Sequence, residues 1–136
     1  MSYDLMVFEE KAAPKDKNSF MDWYKHQTEW TEEHSYDDPA VSSAALRNWF
    51  MDIKAAFPPM NGPFALSDDE FDELGDDEVK VTDYSIGRDA IYAAFAWSCA
   101  EEAYEMVKQL AKKHRVGFFD ASGDGDIFLP DGSEMA

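Results

Sequence analysis

Oxygen-bearing side chains recur at metal-ligand intervals near the end of the chain. Counting Asp120 as position one, Ser122 falls at three, Asp124 at five, Gly125 at six, Ile127 at eight and Asp131 at twelve, with Asp126 as a further carboxylate. That is the spacing of an EF-hand calcium loop, in which hard oxygens surround one turn and a glycine permits the bend. The flanks differ from that motif. Val116 to Phe119 reads as a strand where a helix should enter, and Pro130 breaks any helix leaving the loop. Asp124-Gly125 between apolar runs is also a hairpin turn signal. A calcium module through Asp120, Ser122, Asp124, Asp126 and Asp131 therefore stands as the alternative to a structural turn, and no other cofactor is expected.

A second concentration of chemistry is pure charge. The segment holding Asp68, Asp69, Glu70, Asp72, Glu73, Asp76, Asp77 and Glu78 has eight acids and no base, in a chain of 29 acids, 12 Lys and Arg and formal net charge −17. Such a surface repels nucleic acid and anionic membrane and attracts cations or basic proteins. A solvated loop is the ordinary role of a charge run. Phe71 and Leu74 interleave with the acids, and an apolar anchor rimmed by charge is how a docking surface is built.

Other reactive side chains form no catalytic pattern. His26 and His34 lie eight residues apart, too far for a close pair on one helix, and His114 sits among Lys112, Lys113 and Arg115, where cations complement a helix C-terminus. Cys99 is the single cysteine, which precludes an intrachain disulfide and a cysteine-rich zinc site. No Gly-rich phosphate loop and no Gly-x-Ser-x-Gly elbow is present. The acids are so numerous that no chosen pair signals general acid–base catalysis.

The elements that must carry these residues follow from periodicity. Tyr3 to Phe8 alternates as a strand, with Tyr3, Leu5 and Val7 on one face and Asp4, Met6 and Phe8 on the other. A helix is expected from Asn18 or Ser19 to about His34, with Ser19 and Asp22 as a box-like start. A second is expected from Ser43 to Phe57, with Leu46, Trp49, Phe50, Ile53 and Phe57 on one stripe and Pro58 and Pro59 ending it. The acidic segment reads as a loop with a turn of helix near Phe71. Strands are expected at Val79–Ile86, Ala90–Trp97 and Val116–Ala121, with a short return at Asp126–Leu129. Ser98 to Glu101 reads as a capping box opening a third helix. The aromatic side chains on the helices read as core, and the Gly132–Ala136 tail as mobile.

Merging the first two helices into one crossover gives βαββαβ, so the expected fold is α+β: a single domain over residues 1–136, with a ferredoxin-like antiparallel sheet and its helices on one face. The extra helix and the long acidic loop sit in the first crossover. Tyr92, Ala94 and Ala96 would then leave a smooth patch on the open face, covered by a later segment or free for a small ligand or dimer partner. The N-terminus lacks a basic region and a long apolar core, which predicts no signal peptide, no membrane association and a cytoplasmic location.

The opening Met1–Glu9, the Pro58–Phe64 loop and the Val116–Asp120 strand together resemble a family of small uncharacterised bacterial cytoplasmic proteins. The size and acidity are similar to those of immunity proteins from bacterial toxin systems. That resemblance implies no catalytic residue. Charge, small size and the missing catalytic motif make the leading expectation a binding protein, monomeric or homodimeric, of the immunity or inhibitor type, whose acidic segment Asp68–Glu78 meets a basic partner. A small enzyme with a pocket near Pro58–Phe64 remains the other alternative.

Overall fold

The computed structural model describes residues 2–135. The chain runs β1 (Tyr3–Phe8), α1 (Lys17–Gln27), α2 (Ala44–Ile53), α3 (Asp68–Glu73), β2 (Asp83–Ile86), β3 (Ala90–Phe95), α4 (Ala100–Lys113), β4 (Gly117–Phe119) and β5 (Ile127–Phe128), with short 3-10 turns at Pro39–Val41, Gly75–Lys80 and Trp97–Cys99. The fold is α+β. Its five strands form one sheet in the order β2-β3-β1-β4-β5, and every pairing is antiparallel. The two most apolar strands, β1 and β3, lie side by side along their whole lengths, Tyr3 opposite Phe95 and Phe8 opposite Ala90.

Alternation along β1 sends side chains into two separate cores. Leu5 and Val7 face α2 and α4, packing with Leu46, Trp49, Phe50, Ile53, Ala103 and Val107. Met6 and Phe8 face the other way, where Phe20 of α1, Phe119 and Ile127 gather. The sequence expectation of helices on one face is therefore corrected: α2 and α4 share one face, and α1 covers the other. The reason is that both faces of β1 are apolar, so both need cover. The stripe of α1 supplies it: the Phe20 ring lies 4.9 Å from Phe8 and 5.3 Å from Phe119, and the Tyr24 ring 4.8 Å from Phe119. Gly117 makes room for this core, because a β-carbon there would stand 2.2 Å from the Phe8 ring. The patch around Tyr92 is covered in part by the same arrangement, with Tyr24 and Trp30 rings 6.5 and 5.9 Å away.

Several boundaries differ from the sequence expectation, each for a local reason. Helix α1 is capped by Asp16, whose carboxylate accepts from the Ser19 N–H at 3.0 Å, and stops at Gln27. Just past it the Thr28 hydroxyl bonds back to the Tyr24 carbonyl, and Trp30 takes a left-handed φ of 53°. The acidic segment holds the expected turn of helix around Phe71, as α3, and continues into a 3-10 turn at Gly75–Lys80 where a loop was expected. Strand β2 starts late because Val79 and Lys80 belong to the preceding 3-10 turn, and Trp97–Cys99 forms another turn that ends β3 early. No side-chain cap opens α4, so Ser98 and Glu101 form no capping box. The tail is not loose as far as Met135: its N–H bonds the Ile127 carbonyl at 2.7 Å, and its side chain is buried in the second core.

Candidate functional site

Capping chemistry explains why the acidic segment folds. Ser67 Oγ accepts from the Glu70 N–H at 3.2 Å, and Glu70 Oε1 accepts from the Ser67 N–H at 3.1 Å. This reciprocal box satisfies two N–H groups that the first turn leaves open. The same bonds hold the Glu70 carboxyl below its ordinary range. Asp68, Asp69 and Glu70 occupy the positive end of α3, where negative charge is favoured. Asp72 and Glu73 follow in the helix, and Asp76, Asp77 and Glu78 lie in the 3-10 turn beyond Gly75.

All eight carboxylates are exposed. Among the described residues none of them has a cationic partner within 4.0 Å. The turn is tied to the rest of the molecule at its end, where Lys80 Nζ meets Glu102 of α4 at 3.3 Å and the Cys99 thiol donates to the Val79 carbonyl at 3.8 Å. That tie brings a second apolar group to the acids. Val79 and Trp97 are each 49% exposed, and the two short turns that carry them touch. The Trp97 ring leans on Tyr3, centroids 5.1 Å apart. Burial, with Asp120 and Tyr104 nearby, pushes the Tyr3 phenol up to about 12, so it stays neutral beneath the indole.

Sequence reasoning placed the anchors at Phe71 and Leu74. The structure leaves Phe71 exposed on α3 and half-buries Leu74. It adds Val79 and Trp97, the first and last residues of the strands expected from sequence, which lie instead in short 3-10 turns. Ser98 immediately after Trp97 was the available signal, since a polar residue there marks the end of the apolar run.

The Asp120–Asp131 loop is the turn between β4 and β5 and the return of the tail. Asp120 is buried, and its Oδ1 accepts from the Gly123 N–H at 3.1 Å. Burial pushes its carboxyl up, against the backbone N–H groups of Asp124 and Gly123. Ser122 Oγ accepts from the Asp4 N–H at 2.7 Å, fastening the loop to β1. Asp131 Oδ1 accepts from the Ser133 N–H and hydroxyl, at 2.9 and 2.6 Å. Asp124 is exposed and Asp126 is half-exposed. Among the described residues no three acids, histidines or cysteines gather as metal ligands would.

Each histidine has an acidic neighbour. His26 lies 3.7 Å from Glu29, His34 Nε2 lies 2.5 Å from Glu32 and His114 Nε2 lies 2.6 Å from Asp52. The Asp52 carboxyl is held low by His114 and then Lys113, which tie the C-terminal ends of α2 and α4 together. Beside the Pro58–Phe64 loop, a shallow depression of about 420 Å³ is lined by Asp38, Arg47, Met51 and Phe64. Arg47 spends its guanidinium on the carbonyls of Pro39, Ala40 and Ser42. Among the described residues no nucleophile–base pair lines that depression.

No helix among the described residues is long and apolar enough to cross a membrane. The chain matches no family model, no curated protein and no solved structure.

Proposed function

We propose that the chain is a non-catalytic acidic binding domain, an immunity or inhibitor protein of the cytoplasm that sequesters a basic bacterial toxin. One observation carries this reading: eight exposed carboxylates without a cationic partner run into the turn that carries Val79, and that turn touches the one that carries the exposed Trp97. The carboxylates steer a cationic partner and speed its approach, while the indole supplies contact area that charge alone does not. The strand order supports a ferredoxin-like reading of the scaffold. In that reading β1, α2, β2, β3, α4 and β4 form the repeat, and α1, α3 and β5 are additions. The resemblance of Met1–Glu9, Pro58–Phe64 and Val116–Asp120 to small bacterial proteins is consistent with it.

The test is co-expression with basic nuclease toxins from the source organism, followed by affinity measurement for any toxin it neutralises. Trp97→Ala is expected to weaken the complex by about 2 kcal/mol, mostly through faster dissociation. Replacing Asp72, Asp76 and Asp77 with Asn is expected to slow association and flatten its salt dependence. A complex indifferent to both changes would place the interface elsewhere and remove the basis of the proposal.

A further inference from the structure

Where the C-terminal half of α4 faces the returning tail, the sign of the surface reverses. The cleft there has an outer part of about 450 Å³, lined by Glu10, Lys112, Arg115, Pro130 and Asp131. An inner part of about 250 Å³ shares Lys112 and adds Lys108 over a floor that includes Val116, Phe118, Phe128 and Leu129. We propose that this cleft binds a small amphipathic carboxylate, an acid with one charged head and a short aromatic or branched aliphatic body.

Charge complementarity argues for the head. Among the described residues, Lys108, Lys112 and Arg115 have no carboxylate within 4.0 Å and donate no side-chain hydrogen bond. On a chain of net charge −17, an organic anion is repelled over most of the surface and favoured where cations outnumber acids, as along this cleft, with Arg115 on its outer part, Lys108 on its inner part and Lys112 on both. Two acids share the rim and offset part of this charge: Asp131 is held low by bonds to its own Ser133 and in part by Lys112, and Glu10 lines the outer cleft without a side-chain bond, so three cations face two carboxylates.

The floor argues for the body. Phe118 and Phe128 lie nearly parallel, 14° apart with centroids separated by 5.9 Å, and Lys108 Nζ caps the Phe128 ring at 4.2 Å. Val116 is buried beneath, while Phe128 and Leu129 keep part of their surface open. Concave apolar walls with a few placed charges are the usual form of a small-molecule site. The inner volume is small, which selects a single ring or a short branched chain over a peptide.

The backbone holds Arg115 in place at the mouth. Val116 N–H reaches back to the Ala111 carbonyl at 2.9 Å, closing the end of α4, and Arg115 takes the left-handed φ of 58° that glycine usually fills. An arginine at a position suited to glycine points to a side chain kept for its own sake. This cleft flanks the C-terminal end of α4, whereas the acidic face meets its N-terminal end, roughly 20 Å away along 14 residues. The two sites are therefore testable apart.

The experiment is an amide NMR titration of the full chain with phenylacetate. Phenylacetamide serves as the neutral isostere, acetate as the head alone and phenethylamine as the cation. Phenylacetate is expected to shift amides around Lys108, Lys112, Arg115 and Phe128, with at least tenfold weaker binding for the three controls. Arg115→Gly suits the local backbone, so it should keep or raise the thermal midpoint while weakening phenylacetate at least fivefold, and Lys112→Met should do likewise without unfolding. Equal affinity for phenylacetamide, unchanged binding in both variants, or no saturable shift below about 10 mM would overturn the proposal.

Discussion

Replacing Gly117 with alanine tests the second core directly. In an ordinary strand interior this change is neutral or stabilising by about 0.5–1 kcal/mol, because glycine is the poorer strand residue there. Here the new β-carbon would sit 2.2 to 2.6 Å from three atoms of the Phe8 ring. Ordinary carbon contacts are about 3.5–4.0 Å, so the ring must retreat by more than about 1 Å. It has nowhere to go, being fully buried between Phe20 and Trp23, with ring centroids at 4.9 and 6.0 Å. Overpacking of this kind costs about 1–3 kcal/mol. For 136 residues the unfolding entropy is about 0.3 kcal/mol per degree, so a loss of 2 kcal/mol lowers the melting temperature by about 7 °C. Equilibrium unfolding in urea, followed by tryptophan fluorescence, measures the change. Phe8→Leu vacates the space, and in the double variant the two penalties should fall short of their sum by about 1–2 kcal/mol. A neutral or stabilising Gly117→Ala, or strict additivity with Phe8→Leu, would mean that the Phe8 ring does not lie over Gly117.

Two titrations and one turn give further checks. The His34 imidazole is raised above 6.5 by its bond to Glu32 and then by the Ser35 carbonyl. That contribution is complete below about pH 6.5 and disappears as pH climbs through the raised value, so His34→Gln should flatten the fall in urea midpoint as pH rises above 6.5; parallel profiles would refute it. The Asp120 carboxyl is raised by burial, so its ionised form destabilises the fold at neutral pH and the penalty eases as pH falls. Asp120→Asn keeps the acceptor for the Gly123 N–H and should stabilise by about 0.5–1 kcal/mol at pH 7, measured by thermal unfolding with and without calcium. A loss of stability that appears in calcium alone would instead support the EF-hand reading of the loop.

Much of the scaffold was legible because its signals are local. β1 carried its own alternation, and α2 and α4 carried strong apolar stripes with proline or cationic ends. The placement of α1 was not legible, because its stripe of Phe20, Trp23 and Tyr24 says that it packs but not on which face. The register Phe8 opposite Gly117 decides that, and it joins residues 109 positions apart in sequence. The acidic segment was legible as a surface with a turn of helix near Phe71, yet the exposed Ser67–Glu70 box that starts that helix and the 3-10 turn that continues it were not. Val79 and Trp97 are carried by two short turns that touch, and periodicity does not register such turns. The cleft at Lys112 and Arg115 was not legible because its opposite wall, Phe128 to Gly132, meets α4 only through tertiary packing.

Both rims of the sheet are already occupied. Outside β2, Pro58 and Met60 bond to the backbone of Thr82, and the Tyr36 carbonyl takes the Ile86 N–H. Outside β5, the tail folds back so that Glu134 pairs with Phe128. A partner therefore finds little unpaired strand backbone to extend, and recognition by adding a strand is closed off at both ends. Whatever this molecule holds must be gripped through side chains, and copies of it have little means of zipping together into fibres when crowded.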